Sequence, residues 1–77
     1  MYFAGKGVAK DEAEAARLYR LAADQGEAAA QYCLGKMYLE GKGVAKDVGE
    51  AVRLFRLAAD QGDAQAQNVL GHMYHTG

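Results

Sequence analysis

Leu21-Ala22-Ala23-Asp24-Gln25-Gly26 returns unaltered as Leu57-Ala58-Ala59-Asp60-Gln61-Gly62, and the offset of 36 residues between the two copies governs how the rest of the chain is read. At the same offset Met1-Tyr2 pairs with Met37-Tyr38 and Met73-Tyr74; of 41 aligned positions 13 differ, leaving 28 identical. Identity at that density marks a repeated structural unit. A period in the thirties with helical spacing inside each unit specifies an array of paired helices.

Each unit reads as two helices. Asp11 and Asp47 open a D-x-x-E pattern with Glu14 and Glu50, in which the aspartate accepts from free backbone N–H groups and the glutamate reaches back. From there Ala15, Leu18, Tyr19 and Ala22 recur at three- and four-residue spacing, as do Ala51, Leu54, Phe55 and Ala58. Gly26 and Gly62 then supply the left-handed residue that ends a helix. These B helices are expected at 11–25 and 47–61. Glu27 and Asp63 stand where the next N-cap belongs, and A helices follow at 28–40 and 64–75, with 1–4 as the end of an earlier one. The two-residue links force each B helix and the A helix after it into an antiparallel hairpin. Gly35 and Gly71 sit inside A helices, where glycine costs about 1 kcal/mol relative to alanine. Their repetition implies close approach of a neighbour, with Ala22, Ala23, Ala58 and Ala59 as the expected facing surface.

Seventy-seven residues with one cysteine, Cys33, form no internal disulfide, and a core this small is marginal unless neighbouring units or tight helix packing support it. Lys and Arg number 9 against 10 Asp and Glu, for a net charge of −1. That balance gives no electrostatic reason for nucleic acid or an anionic membrane as partner. No apolar run approaches the roughly 18 residues of a membrane span, and the N-terminus lacks a signal-peptide pattern. The expected location is cytoplasmic, or secreted or periplasmic if a leader is missing from the chain.

The A-helix motif Ala30-x-x-x-Leu34-Gly35-x-x-Tyr38-x-x-Gly41-x-Gly43-Val44-x-x-Asp47, continued by Ala51, Phe55, Ala58, Ala59 and Gly62, resembles the Sel-one-like repeat, a relative of the tetratricopeptide repeat. The resemblance spans essentially the whole chain. It implies an all-α, right-handed helical-hairpin solenoid that serves as a protein adaptor, with the A helices lining a concave surface. A cysteine-rich branch of the family pins each repeat with a disulfide; this chain departs from it, since Val69 replaces Cys33 in the next unit.

Positions required by the fold should agree between units, whereas positions facing a ligand are free to differ. In the A helices the differing pairs are Ala29/Gln65, Tyr32/Asn68, Cys33/Val69, Lys36/His72, Leu39/His75 and Glu40/Thr76. All but the cysteine pair fall on one helical stripe away from Leu34 and Tyr38. Tyr32, Lys36, Leu39, Gln65, Asn68, His72 and His75 are therefore the candidate partner-binding residues, with Glu40 at the edge. The competing reading is a solvated surface free to drift. Differences in the B helices, Glu12/Val48, Ala13/Gly49, Ala16/Val52 and Tyr19/Phe55, mostly stay small or apolar and read as packing adjustments.

Chemical motifs are weak. Gly5-Lys6-Gly7 and Gly41-Lys42-Gly43 lack the spacing and Lys-Ser/Thr ending of a phosphate loop, and read as turn glycines. His72 and His75 lie three apart but have no third ligand in register. Cys33 has no base partner and reads as a small buried side chain. No catalytic constellation, metal or cofactor is expected, and a hydrolase is disfavoured. Apolar faces are expected to lie bare at both ends, beside Ala16, Tyr19, Leu70 and Tyr74, in units that lack the polar outer faces of caps; either the chain is a segment of a longer array or copies stack end to end, and a structural, self-assembling segment of a longer solenoid without its own ligand is the alternative to a scaffold that binds a separate protein.

Overall fold

The computed structural model describes residues 11–76, folded as four helices: α1 (Glu12–Asp24), α2 (Ala28–Glu40), α3 (Val48–Asp60) and α4 (Ala64–Thr76). The expected stub at 1–4, the Gly5-Lys6-Gly7 turn and Gly77 lie outside the described residues. Among the described residues there are helices and turns but no strand.

The helix ends follow from a few residues. Gly26 and Gly62 take φ of +91° and +94°, after α1 and α3 respectively. Their N–H groups reach Ala23 and Ala59 carbonyls, while Glu27 and Asp63 N–H groups reach back to Ala22 and Ala58. This double closure satisfies carbonyls that a helix end would otherwise leave bare and turns the chain directly into the next helix. Asp63 then caps α4, its Oδ1 accepting from the Ala66 N–H at 2.8 Å. Glu27 makes no such bond, contrary to its expected capping role: aspartate has the reach for an N-cap and glutamate is one methylene too long. Asp63→Ala is accordingly expected to cost about 1 kcal/mol and Glu27→Ala markedly less, readable as a difference in thermal midpoint between the two variants.

The expected D-x-x-E boxes are only half realised. Asp47 sits in extended backbone and its Oδ1 accepts from Glu50 N–H at 3.1 Å. Asp11, at φ −103° and ψ 34°, makes no side-chain cap bond, because its backbone has already turned toward the helix. Neither glutamate reaches back. Glu14 accepts instead from Arg17 and Glu50 from Arg53, one turn on in each case. The Arg53 bond holds the Glu50 carboxyl below its usual value, as the Arg17 bond does for Glu14.

Successive helices pack antiparallel, and the α2–α3 contact is the most extensive. One cluster joins Ala16, Ala23, Ala30, Leu34 and Leu54; the other joins Ala51, Phe55 and Leu70, with Tyr38 touching both. The alanines let backbones approach, and the few large side chains fill what remains: Phe55 and Leu34 are the largest fully buried ones. Position in the stack decides exposure. Leu18 and Tyr19 of α1 are 52% and 38% exposed, whereas their counterparts Leu54 and Phe55, flanked on both sides, are 3% and 0%.

The reason for the buried glycine in α2 differs from the one expected. A Cβ on Gly35 would lie 2.8 Å from Phe55 Cε1 and 3.3 Å from the Ala51 carbonyl oxygen. The neighbour is therefore an aromatic ring and the backbone of α3, rather than Ala22, Ala23, Ala58 and Ala59. Gly71, its counterpart in α4, meets nothing within 4 Å among the described residues.

Candidate functional site

The seven stripe residues come from α2 and α4, which flank α3. Three of them line up on α2, and the structure divides them. Tyr32 and Leu39 are half-buried, packed against the Ala51, Phe55 and Leu70 cluster. The Tyr32 ring stands 5.8 Å from that of Phe55 at 47°, a tilted aromatic pair. Lys36, one turn further round, is exposed and places its Nζ 5.8 Å from the Tyr32 ring centroid. Ala29 and Glu40 are exposed on the same side, Glu40 beside Lys42 at 3.8 Å. The free surface of α2 is thus narrower than the sequence stripe: Lys36 is central, and Tyr32 and Leu39 form a shoulder shared with α3.

On α4 the equivalent positions Gln65, Asn68, His72 and His75 are all exposed. The expectation of bare apolar surface at both ends holds at α1, where Leu18 and Leu21 are 52% and 51% exposed, and needs correction at α4. Ala16 and Leu70 are buried, at 4% and 9%, while Tyr19 and Tyr74 are exposed, at 38% and 62%. Most of the side of α4 turned away from α3 is polar, since Asn68 and His75 replace Tyr32 and Leu39.

Several features escaped the sequence reading. Gln31 is 4% exposed; its Nε2 donates to the Ala23 carbonyl at 3.2 Å and its Oε1 accepts from Gln61 Nε2 at 2.8 Å. One glutamine thereby ties α1, α2 and the end of α3. Gln67 repeats half of the pattern, donating to the Ala59 carbonyl at 3.1 Å. The available signal was the presence of an unchanging polar residue among alanines. A second bridge links B to A helices: Arg20 donates to the Tyr38 hydroxyl, and Arg56 donates to that of Tyr74 at 3.1 Å. Cys33 is half-buried and sits close enough to Tyr19 to push the phenol pKa up, so the Tyr19 hydroxyl points at α2.

Among the described residues no group of three or more His, Cys, Asp and Glu could hold a metal, and no helix is long and apolar enough to cross a membrane. Helical hairpins stacked side by side, held by repeated glycines, alanines and glutamines, define a helical repeat module. The Sel1 repeat matches residues 1–27, 28–63 and 64–77, and the chain belongs to the Sel1 repeat family. A Sel1 repeat protein from Oxalobacter formigenes is 44% identical with a TM-score of 0.86, over 88% of this chain and 28% of that one. A protective antigen present in uropathogenic Escherichia coli strains, displaying an SLR fold, is 42% identical with a TM-score of 0.84, over 87% of this chain and 14% of that one. No match was found among curated proteins. The chain thus spans less than a third of either structural neighbour. Sel1 repeats commonly form protein-interaction scaffolds of a non-enzymatic kind.

Proposed function

We propose that this segment is a non-catalytic scaffold that holds a protein or peptide partner along the stripe running from Lys36 of α2 to Gln65 and His72 of α4. The observation that carries the reading is the contrast between units: glycines, alanines and glutamines of the packing surfaces repeat, while exposed positions on the A helices change chemistry. Lys36 beside the Tyr32 ring suits a partner that presents an acidic group next to an apolar one. Asn68 and His75 flank the stripe on α4 as Tyr32 and Leu39 do on α2. The curvature that the family resemblance implies would bring the two A helices onto one inner face.

Tyr32 is a poor residue to mutate as a test, because its ring supports Phe55. Exposed Lys36 and His72 are the better pair. Pull-down with K36E/H72E is expected to recover at least about tenfold less partner than the parent chain while the helical circular dichroism spectrum is retained. Undiminished recovery would remove the stripe from consideration.

A further inference from the structure

We propose, resting on the partner stripe above, that the seam between α2 and α4 takes an acidic stretch of polypeptide in extended form, with an apolar side chain two residues from a carboxylate. The seam has an apolar floor. Tyr32 and Leu39 of α2 and Val69 and Met73 of α4 pack from two sides against Ala51, Phe55 and Leu70, and all four remain half-buried. Neither Val69 nor Met73 belongs to the stripe of variable residues, so the seam is wider than that stripe. Exposed Lys36 stands on its α2 rim, four residues after Tyr32 and three before Leu39.

The cation at this rim is one that the fold does not use. Arg17 and Arg53 are bonded to Glu14 and Glu50, and Arg20 and Arg56 to the hydroxyls of Tyr38 and Tyr74. Lys36 forms no ion pair among the described residues; its ammonium stands 5.8 Å from the centroid of the Tyr32 ring. Carboxylates are scarce on this layer. Of the ten Asp and Glu, α1 and α3 hold five and α2 and α4 only Glu40, which has Lys42 at 3.8 Å. An ammonium held at an aromatic face, beside an apolar seam with no unpaired carboxylate, attracts a carboxylate flanked by an apolar group and repels a second ammonium. Spacing sets the pattern. Three or four residues along α2 advance about 5–6 Å, and residues two apart in an extended peptide lie on one side about 7 Å apart. Acid-x-apolar-x-acid therefore presents its three side chains together. Seven extended residues reach about 23 Å, close to the roughly 20 Å length of the 13-residue α2.

NMR titration of the isotope-labelled full chain with the peptide Ser-Glu-Ser-Phe-Ser-Glu-Ser tests this. Signals of Leu39, Val69 and Met73 are expected to shift, with half-saturation at about millimolar peptide. Leu21 and Leu57, apolar but 51% and 40% exposed on α1 and α3, should stay unmoved. Exchanging both Glu for Lys, or the Phe for Ser, is expected to weaken binding at least about fivefold. K36E, an exposed change that leaves the helical spectrum intact, should weaken the acidic peptide to the same degree and admit the Lys peptide in its place. No shift with about 10 mM acidic peptide overturns the proposal, as does a K36E chain that binds it undiminished. Equal shifts of the seam by the Lys peptide would overturn the acidic chemistry and leave the stripe standing as a surface. Shifts confined to Leu21 and Leu57, together with undiminished pull-down by K36E/H72E, would remove the stripe itself.

Discussion

Gly43→Ala is expected to lower the thermal midpoint by roughly 10–30 °C, a loss of about 2–4 kcal/mol. Two penalties coincide at this position. Gly43 has a φ of +75°, a conformation that costs an L side chain about 1–2 kcal/mol. A Cβ there would also lie 2.4 Å from the Glu12 carbonyl oxygen and 2.7 Å from its carbon. Both atoms are backbone at the start of α1, so the clash can be relieved only by moving the α2–α3 turn away from that helix. Met37 Cε at 3.0 Å closes the third side. Gly26→Ala is the control, with a similar φ of +91° but nothing within 4 Å among the described residues. It should lose only the conformational term, about 1–2 kcal/mol. Equal melting points for the two variants, followed by circular dichroism at 222 nm, would show that contact between the turn and α1 contributes nothing.

What could be read in advance and what could not divide along physical lines. Helix ends were legible because Gly26 and Gly62 each do a local job that depends on φ alone, and glycine announces it. Helix pairing was legible because two-residue links leave one direction to turn. The partner of Gly35 was not, since a missing Cβ says that something comes close without saying what; the ring of Phe55 lies 20 positions away in the chain. Gln31 went unread for a related reason: its value comes from meeting Gln61 and the Ala23 carbonyl at once, and no spacing within α2 reveals that. The stripe was legible as a pattern of change but not as a surface. Tyr32 and Leu39 share a face with Lys36 by helical periodicity, yet α3 lies against the first two and leaves the third in solvent. Periodicity gives direction around one helix; only the neighbouring helix decides which directions are covered. The same limit separates Leu18 from Leu54, which share a helical position but not a covering neighbour.

Phe55→Ala is expected to be the most damaging single truncation, at about 3–5 kcal/mol, which approaches the whole stability of a domain of this size. The ring is fully buried at the α2–α3 seam, joins Ala51 and Leu70 in one cluster and forms a tilted pair with Tyr32. Its removal opens a cavity where the two central helices meet. The seam makes a sharper prediction when Gly35 is changed as well. In the parent chain Gly35→Ala sets a methyl 2.8 Å and 3.0 Å from two ring carbons, an overpacking penalty of about 1–3 kcal/mol partly offset by about 1 kcal/mol of helix propensity. With the ring gone only the Ala51 carbonyl contact at 3.3 Å opposes the methyl, and the propensity gain outweighs it. Gly35→Ala should therefore change from destabilising or neutral in the parent to stabilising in the Phe55→Ala background, a coupling of about 1–3 kcal/mol between residues on different helices. Urea denaturation of the four proteins gives the cycle directly, with Gln31→Ala as a background that leaves the Gly35–Phe55 contact in place. Effects that add within about 0.5 kcal/mol would mean that the ring and the glycine do not set the spacing of α2 and α3. The stack would then be held by its alanines and glutamines alone.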